Sequence, residues 1–155
     1  MAQGIKLTNS SKMFLVDDED FLRVSCFNWR INNTDSAILM TKLPHRLISN
    51  FILSVSGTID HKDLNFYNNR KENLRLCTRS QNNLNSDKKD YFRPTASKYK
   101  GVYWSKEKSK WYARITVERK TYALGYFSTE REAALAYNKA ALKYAGEFAR
   151  LNNVS

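Results

Sequence analysis

Little in this chain of 155 residues can cross-link it. Its two cysteines, Cys26 and Cys77, lie 51 positions apart and form no C-x-x-C pair, which argues against a disulfide framework and a cysteine zinc site. Both thiols are expected to be buried and reduced. Two prolines and five glycines are too few for a collagen-like or low-complexity chain. No stretch approaches the ~18 consecutive apolar residues of a spanning helix, so no membrane partner is expected. The opening MAQGIKLTNSSK lacks the apolar centre of a secretory signal, and an intracellular protein is the expectation. Acidic residues are also scarce, 15 against 26 Lys and Arg, for a net charge of +11.

What is present is a foldable composition, 42% hydrophobic and 13% aromatic, too apolar for a disordered tail. The positive excess calls for a polyanionic partner, and with no membrane signal that partner is nucleic acid. The charge is unevenly spread. Residues 1–97 carry 14 basic and 10 acidic side chains, whereas 98–155 carry 12 and 5. Between them, Asp90 to Ser97 holds one of the two prolines. The expected organisation is a first domain over 1–90, a linker over 91–97 and a second domain over 98–155.

The second domain has the clearer periodicity. Along Trp111-Tyr112-Ala113-Arg114-Ile115-Thr116-Val117, residues 111, 113, 115 and 117 share one face and 112, 114 and 116 the other. That predicts a half-buried strand, with neighbours over Tyr99–Ser105 and Thr121–Phe127. Thr129 and Glu132 form a capping-box pair. A helix stripe of Ala133, Ala136, Tyr137, Ala140, Ala141 and Tyr144 follows, with Gly146 as its stop. Alanines let a helix approach its sheet closely, so one sheet face is covered and the opposite one, bearing Arg114 and Thr116, is open.

Tyr99-Lys100-Gly101-Val102, Leu124-Gly125-Tyr126-Phe127, Glu132-Ala133-Ala134 and Gly146-Glu147-Phe148-Ala149-Arg150-Leu151-Asn152 give this region its further character. Over about 98–152 it resembles an AP2/ERF DNA-binding domain. The resemblance implies a three-stranded antiparallel sheet plus one helix, the open sheet face entering the DNA major groove. By position it aims Lys100, Tyr103, Ser105, Lys110, Arg114, Thr116, Thr121 and Ala123 at DNA. Plant relatives favour Arg and Trp where this chain has Tyr103, Ser105, Thr121 and Ala123, so phosphate contacts are expected to outweigh base readout.

The middle of the chain, Ile59 to Arg75, is dense in Asp, Asn and His. Asp60 and His61 end a short β-like run, Asn73 to Cys77 reads as a second strand, and Thr78 to Asn85 as the start of a helix. Asn and Asp are common in turns for local reasons, but a hairpin closed by a helix would gather Asp60, His61, Asn73 and Asn82. This order resembles the HNH nuclease family, in the branch whose last His is Asn, found among phage and intron-encoded homing enzymes. His45-Arg46-Leu47-Ile48 fits that branch, as does Leu15-Val16-Asp17-Asp18-Glu19-Asp20 with Trp29, a pattern of relatives joining HNH to AP2.

The implied fold is α+β, a ββα-metal domain followed by the AP2-like sheet. The implied roles follow the motif. Asp60 and Asn82 would be oxygen ligands to Mg²⁺ (or Mn²⁺), His61 the general base toward water, and Asn73 the group holding its ring. Asn68 and Asn69 would brace the loop, and Arg70 and Arg75 would meet flanking phosphates. His45 is left outside the site. Relatives have glycine where this chain has Leu64 and Phe66, so any positive φ there would be strained. Phe14, Leu15, Phe21, Leu22, Phe27 and Trp29 are expected as core.

The resulting expectation is a metal-dependent endonuclease, homing-type and nicking, acting on double-stranded DNA. It would work as a monomer, without a small-molecule cofactor, and a phage origin fits the resemblance. Two alternatives stay open: a catalytically decayed DNA-binding regulator using the AP2-like sheet, and an RNA-directed module.

Overall fold

The structure is a computed structural model, and it describes residues 1–31, 38–40, 47–87 and 97–154. His45 and Arg46, and the linker expected over 91–97 apart from Ser97, lie outside the described residues. The architecture is mixed α+β built on small sheets. The chain divides into two compact units, Met1–Thr78 and Arg79–Ser155.

The first unit opens with an antiparallel hairpin, β1 (Ala2–Leu7) and β2 (Ser10–Asp17), and runs on into α1 (Asp18–Ser25). Three acidic residues, Asp18, Glu19 and Asp20, occupy the first turn of α1, where the helix dipole favours negative charge. Next come β3 (Trp29–Ile31) and β4 (Ile38–Met40), paired antiparallel, then α2 (Ile48–Leu53). A second hairpin pairs β5 (Thr58–His61) with β6 (Leu74–Cys77), the latter entered through a 3-10 turn over Lys71–Asn73.

Alternation on β2 sends Phe14 and Val16 inward, fully buried, where Phe14 meets Trp29 edge to face at 6.1 Å. The same alternation turns Leu15 outward, and Leu22 sits on the solvent side of α1, 77% exposed. Two of the six expected core residues therefore lie at the surface. Phe21 and Phe27 pack half-buried against the core, which Val24, Ile48, Ile52 and Leu74 complete. Cys26 is exposed rather than buried, and neither cysteine is disulfide-bonded.

The second unit begins with α3 (Arg79–Asn85), followed by β7 (Val102–Ser105), β8 (Lys110–Val117) and β9 (Lys120–Phe127) in one antiparallel sheet of order β7-β8-β9. Helix α4 (Glu130–Ala145) covers one face and carries the full capping box between Thr129 and Glu132. Its buried stripe is Ala133, Ala134, Tyr137, Ala140, Ala141 and Ala145. Ala136 is half-buried, and Tyr144 stacks on Tyr122 at 4.8 Å with both rings partly exposed. The stripe is thus rotated slightly from the expected one, because Ala145 continues the i+4 row from Ala141.

The close helix approach depends on Gly101, which has φ +75°. A Cβ there would lie 2.1 Å from the Tyr137 ring and 2.7 Å from the Arg114 carbonyl oxygen. Asn152 ties the end of the unit to the same place: its side chain accepts from the Lys100 N–H at 2.6 Å and donates to the Lys100 carbonyl at 3.1 Å. Gly101→Ala is expected to lower stability by about 3 kcal/mol, combining left-handed strain and overpacking. Gly146→Ala, where a Cβ meets nothing within 4 Å, carries backbone strain without overpacking and should cost less. Chemical denaturation of the two variants checks the contrast.

Candidate functional site

Pairing of β5 with β6 puts Asp60 opposite Arg75 and His61 opposite Leu74. Asp60 is 2% exposed, and its Oδ2 accepts from Arg75 Nε at 2.8 Å and Nη2 at 2.7 Å. This charge-assisted contact fixes the direction of the carboxylate. It also engages Arg75, expected at a flanking phosphate, with the acid across the ladder. Arg70 is likewise paired, its Nε donating to Asp17 at 3.0 Å and its Nη1 lying 2.7 Å from Glu72. Neither arginine stands as an open phosphate contact.

His61 ends β5 and is buried. Its Nε2 lies 3.1 Å from Asn69 Oδ1, and Asn69 Nδ2 donates to the Phe66 carbonyl at 3.0 Å. A carbonyl only accepts, so the second bond orients the Asn69 amide and leaves its oxygen facing the ring. The neutral imidazole then carries its hydrogen on Nε2 and its lone pair on Nδ1. Phe66 packs edge-on against the ring at 5.5 Å. Burial pulls the imidazole pKa below 6.5, opposed by the Asn69 bond and by the charges of Asp63 and Asp60. At neutral pH the ring is a base, not a cation.

Asn73 does not touch that ring. Its amide donates to Asp63 Oδ1 at 2.9 Å and to the Asn68 carbonyl at 2.7 Å, and its oxygen accepts from the Asp63 N–H at 3.1 Å. The two expected asparagine placements are exchanged: Asn69 bonds the imidazole and Asn73 bonds within the loop. The exchange arises because Asn73 sits in the 3-10 turn before β6, facing the loop interior. Within that loop Leu64 has φ +63°, the left-handed backbone that glycine would have taken without strain.

The hairpin β1–β2 supports the loop from outside. Leu15 N–H donates to the Tyr67 carbonyl at 2.7 Å, and Asn69 N–H to the Leu15 carbonyl at 2.9 Å. Asp17 accepts from the Lys71 N–H at 2.8 Å as well as from Arg70. Asp17 and Asp63 are the residues that sequence reasoning missed as site supports, and Asn69, expected in the loop, was not expected at the ring. Their signal, polar residues in a polar turn, has no periodicity to distinguish them.

Asn82 lies on α3, grouped with the second unit. Among the described residues no cluster of three or more His, Cys, Asp or Glu side chains forms a metal-holding group. The expected donors, one carboxylate and one amide oxygen, would not make such a cluster. A carboxylate and an amide oxygen are each hard donors of the kind that Mg²⁺ or Mn²⁺ takes.

Residues 56–84 match the family model described as HNH endonuclease. The match supports an HNH domain and nuclease activity with DNA as substrate. It runs from just before β5 through β6 into α3. No solved structure matches the chain.

On the sheet of the second unit, Tyr103, Arg114, Thr116, Thr121 and Ala123 lie exposed on the face opposite α4, and Lys110 is exposed beside them. Ser105, half-buried, accepts from the Lys108 N–H at 3.3 Å. Lys100 departs from its expected DNA contact. Its ammonium donates to the carbonyls of Asn83, Leu84 and Ser86 at 3.0, 2.9 and 2.5 Å, closing the C-terminal end of α3. Burial pulls its pKa down to about 8. No helix among the described residues is long and apolar enough to cross a membrane.

Burial raises the Asp63 carboxyl, but bonds from Asn68, the Asn65 N–H and Asn73 outweigh it and hold the pKa below 3.8. The charge therefore stabilises the folded loop above the ordinary aspartate value, and this contribution is lost as pH falls through the lower folded value. Amide exchange over Asp63–Asn69 is expected to accelerate in that acid window. Asp63→Asn should flatten the pH dependence, as read by hydrogen exchange.

Proposed function

We propose that the chain is a metal-dependent HNH-type endonuclease that cuts one strand of double-stranded DNA, with His61 as general base. The observation that carries this reading is the buried imidazole whose Nε2 is held by Asn69, within a segment matching the HNH family model. In this reading the neutral ring takes a proton from the attacking water. Asp60 and Asn82 would hold a divalent ion, which supplies charge stabilisation at the scissile phosphate when bound. Arg75 keeps the Asp60 carboxylate oriented. One such site nicks rather than breaks both strands, and a monomer suffices for that.

In this reading the domain boundaries are those of the motifs, 1–90 for the nuclease and 98–155 for an AP2/ERF-like module joined by 91–97. The exposed face with Arg114 and Lys110 holds DNA, mainly through phosphates, in keeping with a homing-type enzyme. The decayed-regulator alternative gains nothing from the site, since His61 is neutral and oriented.

His61→Ala is expected to lower Mg²⁺-dependent nicking of plasmid DNA by about 10²-fold or more. DNA affinity should stay within about twofold, because the ring is neutral and removes no phosphate-binding charge. A nicking assay and a gel-shift titration read the two separately. Nicking at the wild-type rate would remove His61 from the chemistry.

A further inference from the structure

The open face of the second unit carries a row of rings. Register places Tyr103 on β7 directly opposite Tyr112 on β8, and Tyr112 opposite Tyr126 on β9. Three tyrosines thus cross three adjacent strands on one side of the sheet. Tyr103 is 41% and Tyr126 50% exposed, with Tyr112 half-buried between them. The Tyr112 and Tyr126 rings lie 5.0 Å apart and are tilted by 37°, and the Arg114 guanidinium lies 4.6 Å from the centre of the Tyr103 ring. A guanidinium plane over an aromatic ring extends the same flat surface.

The surroundings specify the partner's charge. The three strands contain Lys110, Arg114 and Lys120 and not one Asp or Glu. The exposed positions are aromatic, cationic or small, without the leucines and isoleucines of an apolar protein-docking patch. An anionic backbone bearing flat, stackable groups complements this face in both respects.

The same face is poorly equipped to read a duplex. Reading base edges needs free donors such as Arg or Asn. Here Arg114 already lies over Tyr103, and the Thr116 and Thr121 hydroxyls bond each other at 2.9 Å. In a duplex the base faces are covered by their neighbours, and exposing them costs a few kcal/mol. A row of tyrosines gains its full contact only from bases that are already unpaired.

We infer that the Tyr103–Tyr112–Tyr126 row is a stacking platform for single-stranded DNA, the unpaired bases lying on the rings, with Arg114 packed beside Tyr103 and Lys110 meeting the phosphates. The choice of DNA over RNA rests on the nuclease reading above; the stacking does not.

The test uses the full chain in EDTA, so that cleavage plays no part. Its probes are a fluorescent 20-nucleotide DNA of mixed sequence, the same sequence as a blunt duplex, and the same sequence as RNA, all at one salt concentration. The single DNA strand should bind about 10-fold more tightly than the duplex. Tyr103→Leu, Tyr112→Leu and Tyr126→Leu should each weaken single-strand binding about 10-fold, the lower part of the range for losing one stacked base. The Tyr→Phe variants should bind within twofold of wild type, and the salt slope should not change because no charge is removed.

A measurement on the unaltered protein covers the case of a Leu variant that fails to fold. Ultraviolet crosslinking of a 5-bromodeoxyuridine strand should map to these tyrosines. Leu variants within twofold of wild type, tighter binding of duplex or RNA, or crosslinks confined to other residues would each overturn the inference. Loss of Mg²⁺-dependent nicking with this binding pattern intact would instead count against the nuclease reading.

Discussion

The loop that presents His61 hangs on one buried side-chain amide. Asn73 bonds Asp63 twice, through its amide N–H and through its oxygen, and reaches the Asn68 carbonyl as well. All of its polar atoms are used inside the loop, so it could be replaced only at the cost of unpaired buried groups. What these bonds hold in place is a strained turn. Leu64 sits in left-handed backbone at φ +63°, a conformation that costs an L-residue about 1–2 kcal/mol. Such a residue persists where its surroundings over-determine it, and here Asn73, Asp63 and the pairing of Leu15 with Tyr67 and Asn69 do so. His61 inherits its position from that turn, because Asn69, the partner of its ring, lies at the far end of the same loop.

The elements of the candidate site were legible in the sequence; its side-chain pairings were not. Two short apolar runs around Ile59 and Leu74, separated by a polar stretch, are enough to read a hairpin. The capping-box pair and the alanine stripe are enough to read α4, since both depend on spacing along one element. Asp60 against Arg75 needed the register of β5 on β6, which the intervening 3-10 turn sets. The exchange of placements between Asn69 and Asn73 depends on which way each side chain faces once the loop closes. Composition carries no such information, because each asparagine is equally suited to a turn.

Lys100 shows the same limit in the second unit. Beside a basic sheet a lysine reads as a phosphate contact, yet its ammonium closes the C-terminal end of α3 instead. The last carbonyls of any helix lack partners within it, and a lysine supplied from elsewhere in the fold meets two of them, Asn83 and Leu84, together with the Ser86 carbonyl just beyond. The placement of α3 in this unit is a tertiary fact. Gly101, two residues before Tyr103, was by contrast readable as part of a motif, and the structure supplies its reason in the contact with Tyr137.

Charge pairing divides the labour between the two units. In the first, Arg23, Arg70, Lys71 and Arg75 are each bonded to an acid: Asp20, Asp17 with Glu72, Glu19 with Asp20, and Asp60. Their charges are largely spent within the fold, so this unit exerts a weaker pull on a polyanion than its count of basic residues suggests. In the second, the three strands bear cations and no acid. In the proposed reading, field and affinity then belong to the sheet, and the site around His61 need not attract DNA. Burial keeps the imidazole neutral there against the pull of Asp60 and Asp63, and the acids that balance those arginines also orient them. On the proposed function, capture and chemistry are separated in the chain because the same arginine cannot both lock a carboxylate and steer a strand.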